Sequence, residues 1–283
     1  MTFSIASRSD DGSCWGVAVA SKFLGVGAAV PALEAGVGAI ATQAWVNLGY
    51  RPQGLALLRL GLTAPDVVAA LGAGDPRRDV RQLGVVDARG GSATWTGPKC
   101  QDWAGGRSGP GYAVQGNILV GPQVVEAMEA AWLAPPPSGP GPGLALARRL
   151  LSALAAGDGA GGDRRGRQSA AVAVVGLGPG LDDGPGRGQG ADVVVDLRTD
   201  DHPDPVVELG RLLDLADLYL GEPDPASLLR LTAELAEEVD RRVRALGQPD
   251  LETWAGVENY ELRMVPGHID RFVLARLREQ ATA

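Results

Sequence analysis

Thr2 is the residue whose type and position together suggest chemistry. Methionine aminopeptidases remove Met1 when a small residue follows, so we expect Thr2 to become the first residue of the mature chain. Its α-amino group, with an ordinary pKa of about 7.7–8.0, then lies beside its own hydroxyl. An amine that titrates near neutral pH can accept the hydroxyl proton and later return it to a leaving group. Thr2 is therefore a candidate for both nucleophile and general base, or else an ordinary second residue.

Lys22 is the cation expected to lie closest to Thr2. Segments 2–8 and 15–21 have strand-like composition and are joined by the turn Asp10-Asp11-Gly12. Lys22 follows the second strand, so antiparallel pairing in the natural register brings it near Thr2. A neighbouring ammonium group favours the neutral, proton-accepting form of an amine. The alternative is a surface lysine whose stem covers apolar side chains.

The order of the elements after this hairpin predicts an α+β protein built in layers. Further strands are predicted at 25–30, 36–46, 81–97 (a hairpin), 111–121, 168–175 and 191–200. Helices are predicted at 51–61, 64–74, 122–133 and 144–155. Strands that are grouped on either side of paired helices favour a layered sandwich over alternating βαβ units.

Two domains are expected from the 283 residues. The first spans 1–204 and contains a Pro/Gly-rich linker at 134–143 and a mobile glycine-rich loop at 177–190. The second spans 205–283 and consists mainly of amphipathic helical segments. All strands predicted above belong to the first domain, and so do the candidate residues Thr2 and Lys22.

Composition argues against several classes of function. A formal net charge of −8 argues against nucleic acid as a partner, because phosphate binding requires a basic face. No apolar run reaches the roughly 18–20 residues of a membrane span. The first residues lack the basic and apolar regions of a signal peptide, so we expect a cytoplasmic protein without membrane contact.

Cysteine and histidine are too few to predict a metal site. The chain has two cysteines, Cys14 and Cys100, and two histidines, His202 and His268, which are far apart in sequence. A structural zinc site usually needs four closely spaced ligands. We therefore expect no metal and no other cofactor. Cys14 is an alternative candidate nucleophile to Thr2, but it lies within the chain without an evident base.

Several motifs resemble those of the DUF1028 family. They are MTFSIASR, GVAVASKFLGVGAAVP, GVGAIATQAWVN, YRPQGLALL, RQLGVVDARGGSATWTG, YAVQGNILVGPQVV and VDLRTDDHPDPVVELGRLL. The resemblance covers most of residues 2–220. It implies the four-layer αββα sandwich of the Ntn-hydrolase (N-terminal nucleophile) superfamily, and it is accompanied by a weaker similarity to proteasome β subunits. Because subunit contacts are common on the faces of such sandwiches, it also implies a homo-oligomer.

The resemblance assigns expected roles to residues of this chain. Thr2 matches the family's initial threonine, and Lys22 matches the lysine that lowers the proton affinity of the nucleophile in proteasome-like relatives. In the segments TQAWVN and QGN, side-chain donors suited to an oxyanion or a substrate amide are Gln43, Asn47, Gln115 and Asn117. The alternative for these amides is that they brace loops as satisfied buried polar groups.

Three residues near position 165 complete the expected substrate site. Arg167 and Gln168 are expected to bind a substrate carboxylate, and Asp163 to orient the N-terminal amine. The alternative is an internal Arg–Asp network. That network is the favoured interpretation for the following RTDDH motif, since Pro203-Asp204-Pro205 is typical of a helix entry.

The segment 205–283 resembles the C-terminal tail of many DUF1028 proteins, described as a peptidoglycan-binding-like module. Trp254 and Tyr260 are either ligand-stacking or core residues there, and core packing is the commoner role. The leading hypothesis for the whole chain is an N-terminal-threonine amidohydrolase that cleaves an amide or ureido C–N bond of a small metabolite. The rival is a non-catalytic αββα protein that binds a ligand or partner in the same cleft.

Overall fold

The computed structural model describes residues 2–136, 141–177, 193–221 and 223–281. The chain divides into two compact units between Leu213 and Asp214. The strands are β1 (Thr2–Arg8), β2 (Cys14–Ser21), β3 (Pro31–Glu34), β4 (Gly38–Ala44), β5 (Arg81–Asp87), β6 (Ser92–Thr96), β7 (Gly105–Gly109), β8 (Tyr112–Asn117), β9 (Ser169–Gly176), β10 (Val193–Thr199), β11 (Leu228–Arg230) and β12 (His268–Asp270). The helices are α1 (Val26–Ala29), α2 (Tyr50–Arg59), α3 (Ala64–Ala73), α4 (Gln123–Leu133), α5 (Pro142–Gly159), α6 (Pro205–Leu220), α7 (Ala233–Ala245), α8 (Leu251–Val257) and α9 (Arg271–Gln280).

Two antiparallel sheets form the first unit, which confirms the predicted α+β class. The larger sheet has the order β10-β9-β2-β1-β8-β7 and the smaller sheet the order β3-β4-β5-β6. Strands β1 and β8 of the larger sheet contact β4 and β5 of the smaller one. Helices α4 and α5 pack on the larger sheet, and α2 and α3 pack on the smaller sheet.

Successive side chains of β1 and β8 point alternately to the two faces of the larger sheet, so each face packs into a different core. Phe3, Ile5 and Val114 lie in the apolar core that includes residues of α4 and α5. Ala6 and Ala113 belong instead to a second core between the sheets. This second core is rich in small and β-branched side chains, which allow two sheets to pack closely. Polar side chains occupy the same inward face at the end of β1 where Thr2 lies.

Some predicted boundaries are wrong. Residues 25–30 do not form a strand, because Gly25 adopts φ 61° and the chain turns into the short helix α1. Helix α5 begins at Pro142, inside the predicted linker, with proline in the first turn where its missing N–H costs nothing. The rest of that linker at 137–140, and the predicted loop at 177–190 beyond Leu177, lie outside the described residues. Strand β7 was not predicted, since GGRSG has no apolar alternation.

The second unit has its own core of apolar and aromatic side chains. Trp254 and Tyr260 are buried in it together with residues of α7 and α9. This packing agrees with the core interpretation of the two aromatics. A two-stranded antiparallel sheet, β11–β12, lies among the predicted helices. Within the described ranges, no helix has both the length and the apolar character needed to span a membrane.

Candidate functional site

Thr2 lies at the first position of β1 and is 7% exposed. Register places it opposite Asn117, the last residue of β8. On the other side of β1, Phe3 pairs with Ala20 of β2, so Thr2 comes next to Ser21. The Thr2 Oγ1 and Ser21 Oγ atoms are 3.1 Å apart. The hydroxyl of Thr2 is therefore held between two ordered strands.

Gln43 and Asn117 hold the backbone carbonyl of Thr2. Gln43 Nε2 donates to Thr2 O at 3.2 Å, and Asn117 Nδ2 donates to the same oxygen at 3.4 Å. Both amides also donate to Gln82 Oε1, at 2.8 and 2.9 Å. The side-chain N–H groups of Gln43 and Asn117 thus donate to oxygen atoms of the protein itself. The structure thus brings both predicted residues to Thr2 and places them as braces of its backbone.

Sequence reasoning missed Ser4 and Gln82, which complete this amide cluster. Ser4 Oγ donates to Gln43 Oε1 at 2.7 Å and accepts from Gln115 Nε2 at 2.6 Å. Gln82 Nε2 donates to Thr96 Oγ1 at 2.9 Å. The sequence did contain a signal for both residues. Ser4 lies two positions after Thr2 and therefore on the same face of β1. Gln82 is a polar residue on the face of β5 that otherwise carries small and apolar inward side chains. We call Thr2, Ser4, Gln43, Gln82, Gln115 and Asn117 the amide cluster.

Gly84 makes room for the Gln115 side chain between the sheets. A Cβ at Gly84 would lie 2.1 Å from Gln115 Oε1, and Gln115 is fully buried. We expect Gly84→Ala to lower the free energy of unfolding by about 1–3 kcal/mol, as overpacking does. Urea denaturation measures it. In the control Gly72→Ala, no atom lies within 4 Å of the new Cβ in α3, so stability should rise by about 0.5–1 kcal/mol. Equal effects of both variants would contradict the packing.

Two residues next to the amide cluster adopt left-handed backbone angles. Ala44 follows Gln43 with φ 65°, and Ile118 follows Asn117 with φ 52°. A β-branched residue in this region is an outlier that costs of order 1–3 kcal/mol. Such strain is typical of functional sites, where the surrounding structure enforces it. Here it turns the chain away directly after each of the two amides that hold Thr2.

Lys22 lies one residue beyond the partner of Thr2. Its backbone N–H donates to Asp163 Oδ2 at 2.8 Å, and its exposed Nζ donates to the Arg167 carbonyl at 3.2 Å. Ser21, which sequence reasoning did not single out, contacts the Thr2 hydroxyl instead. Asp163 is buried and also accepts from the Arg165 N–H at 2.8 Å. Asp163 therefore connects the end of β2 to the loop before β9.

Arg167 and Gln168 are engaged with carboxylates of the chain. Arg167 Nε donates to Asp158 Oδ1 at 2.8 Å, and its Nη1 donates to Asp204 at 3.2 Å. Gln168 Nε2 donates to Asp201 Oδ1 at 3.2 Å. The hydrogen bond to Asp158 is the main cause that raises the pKa of Arg167. These contacts agree with the alternative interpretation, in which Arg167 and Gln168 belong to an internal Arg–Asp network.

Asn47 belongs to a different polar cluster, centred on Asp75. Asn47 Nδ2 and Tyr50 Oη each donate to Asp75 Oδ2 at 3.0 Å, and Arg81 Nε donates to it at 2.8 Å. Burial alone would raise the pKa of Asp75, but these hydrogen bonds and one from the Arg77 N–H hold it well below its usual value. Burial, with Asp75 nearby, raises the pKa of Tyr50 to about 12. Asn47, Tyr50 and Asp75 also line a cavity of about 570 Å³.

Cys14 has the environment of an inert thiol. It is buried, and burial is the main cause that raises its pKa. A nucleophilic cysteine needs a lowered pKa and access to its substrate. Both Cys14 and Cys100 are free thiols.

Comparison with known proteins identifies the family. The model of DUF1028, a family of unknown function, matches residues 2–209. The chain belongs to the DUF1028 family. The crystal structure of protein SPO2555 from Silicibacter pomeroyi, a DUF1028 protein, is similar with a TM-score of 0.64 and 31% sequence identity. The similarity covers 76% of this chain and 89% of that chain. No curated protein sequence matches this chain.

The DUF1028 match includes the complete amide cluster. It begins at Thr2 and ends within α6, so it contains both sheets of the first unit. Residues 210–283, which include all of the second unit, lie outside it. Any activity common to the family must therefore be sought in the first unit.

Proposed function

We propose that this DUF1028 protein is an N-terminal-threonine amidohydrolase, which cleaves an amide or ureido C–N bond of a small metabolite after Met1 is removed. The observation that carries the proposal is the fixation of Thr2. Its hydroxyl contacts Ser21, and two buried amides hold its carbonyl. A nucleophile that is also its own base must be held rigidly, because attack requires a defined geometry.

The layer order supports membership in the Ntn-hydrolase superfamily. Helices α4 and α5, the larger sheet, the smaller sheet, and helices α2 and α3 follow one another in contact. This order of layers supports the proposed αββα sandwich. Thr2 begins a central strand of the larger sheet at its contact with the smaller one. The proposal places the nucleophile of such a sandwich at this position.

The reaction would proceed through an ester of Thr2. The free α-amine accepts the proton of Oγ1 as Oγ1 bonds to the substrate carbonyl carbon, and the C–N bond then breaks as the amine returns the proton to the leaving nitrogen. Water next attacks the acyl carbon and gives a proton to the amine, and the bond from that carbon to Oγ1 breaks as the amine returns the proton to Oγ1, which releases the acid and restores the free enzyme. Lys22 favours the neutral amine by its charge. Gln43 and Asn117 act as positioning residues.

Mass spectrometry tests the proposal directly. We expect the intact mass of the protein, purified from its natural host, to lack Met1. A β-lactone probe should then add one equivalent, and peptide mapping should place the adduct on Thr2. The fully buried Thr42 is the internal control and should remain unlabelled. Retention of Met1 would overturn the amine-base mechanism, and an unlabelled Thr2 would favour the rival, a ligand- or partner-binding protein.

A further inference from the structure

The loop Asp163–Arg167, which we call the arginine loop, lies beside the end of β8. Leu119 forms a β-bridge with Asp163, and the Arg164 N–H donates to the Ile118 carbonyl at 3.4 Å. On its other side the loop accepts the Lys22 N–H through Asp163. Both β8 and β2 end at Thr2, through Asn117 and Ser21. The arginine loop is therefore part of the surroundings of Thr2.

This loop and Lys22 concentrate positive charge in a protein whose net charge is −8. Arg167 is paired with Asp158 and Asp204, and Arg165 with the buried Asp163.

Lys22 and Arg164 differ from the other two cations of this region. The Lys22 ammonium donates to a carbonyl, that of Arg167, and Arg164 Nη2 donates to the Leu119 carbonyl at 3.3 Å. Across the part of the chain that the structure describes, neither side chain has a carboxylate within ion-pair distance. Two cations, one directly after Ser21 and one bonded just beyond the end of β8, thus have no acidic partner among the described residues.

From these charges we infer that the substrate of the Thr2 site carries a carboxylate, which Arg164 and Lys22 recognise. The inference rests on the proposed function and names its substrate class, carboxylate-bearing amides and ureides. A guanidinium presents parallel N–H donors that match the two carboxylate oxygens, and such charge-assisted bonds are among the strongest in proteins. A substrate carboxylate would supply the acidic partner that, among the described residues, Arg165 and Arg167 have and Lys22 and Arg164 lack.

Exposed apolar side chains indicate the character of the rest of the substrate. Phe23 directly follows Lys22 and is 53% exposed. Val120 is 40% exposed and lies three residues after Asn117. Two segments that adjoin the two cations thus each carry an exposed apolar side chain, since the Leu119 carbonyl next to Val120 accepts from Arg164. An N-acylated or N-carbamoylated amino acid with an apolar side chain combines the amide, the anion and the apolar body.

Paired substrates test the inference. N-acetyl-leucine, N-carbamoyl-leucine and the uncharged carboxamide of each differ mainly in charge. We expect the kcat/KM of the acids to exceed that of the carboxamides by about ten- to hundred-fold, as for one charge-assisted hydrogen bond. The advantage should fall as ionic strength rises. Equal hydrolysis of acids and carboxamides would overturn the inference while leaving the proposed function in place.

Charge variants locate the recognition. Arg164→Gln should reduce the ratio of the two kcat/KM values roughly ten-fold, and Arg164→Lys should restore part of it. Arg89→Gln, in the exposed β5–β6 turn, is the matched control and should leave the ratio unchanged. An unchanged ratio in Arg164→Gln would overturn the assignment of this residue. Acid binding seen by calorimetry without turnover, and without labelling of Thr2, would instead overturn the hydrolase proposal and retain the anion site.

Discussion

Replacing Thr2 by alanine will lower amide or ureide turnover by about 10³-fold or more, because the reaction then lacks its nucleophile. Met1 should still be removed, since alanine is also small. The fold should persist: the variant loses the hydroxyl contact with Ser21, worth about 1 kcal/mol. Steady-state hydrolysis of a panel of amides and ureides measures the activity, and urea denaturation measures the stability.

Two controls separate the chemistry of Thr2 from its packing. Thr2→Ser keeps the hydroxyl and the amine, so it should retain measurable turnover. Ser21→Ala breaks the same hydroxyl contact without removing the nucleophile, so it should cost far less activity than Thr2→Ala. If Thr2→Ala keeps more than about a tenth of the wild-type rate, Thr2 is not the nucleophile.

Replacing Asp75 by asparagine will lower the free energy of unfolding at pH 7 by about 3–5 kcal/mol, the usual cost of breaking a buried ion pair. The Arg81 side chain is buried against Asp75 and loses its carboxylate partner. Asn47 and Tyr50 lose the charge of their shared acceptor. Chemical denaturation measures the change. The matched control Asp79→Asn removes an exposed ion pair with Lys99 and should cost at most about 1 kcal/mol.

Lowering the pH will reduce the difference in the free energy of unfolding between the wild type and Asp75→Asn. The folded-state pKa of Asp75 lies below its usual value. Its contribution to stability is therefore fully present above the unfolded pKa of about 3.9 and is lost as the pH falls towards the folded pKa. Denaturation curves from pH 7 to pH 2 should show the difference shrinking below about pH 4. A difference that does not change with pH would contradict a charged Asp75 as the source of stability.

Local patterns were sufficient to predict most elements of the first unit. The β1–β2 hairpin follows from two apolar runs around Asp10-Asp11-Gly12, and α3 follows from apolar spacing with Pro65 in its first turn. The edge strand β7 escaped prediction because its pairing with β8, and not its own composition, makes it a strand. Helix α1 escaped it because a glycine at positive φ overrides the strand-like content of the segment.

By itself, the sequence determined Thr2 as the candidate nucleophile and Gln43 and Asn117 as polar groups at strand ends, since these follow from residue type and local order. Tertiary structure decided which of them meet. Strand register placed Ser21 beside the Thr2 hydroxyl, and sheet packing brought Gln82 to Gln43 and Asn117. Asn47 donates a hydrogen bond to Asp75 and does not belong to the amide cluster. The physical reason is range: these contacts join residues 19 to 39 positions apart, beyond the reach of any local pattern.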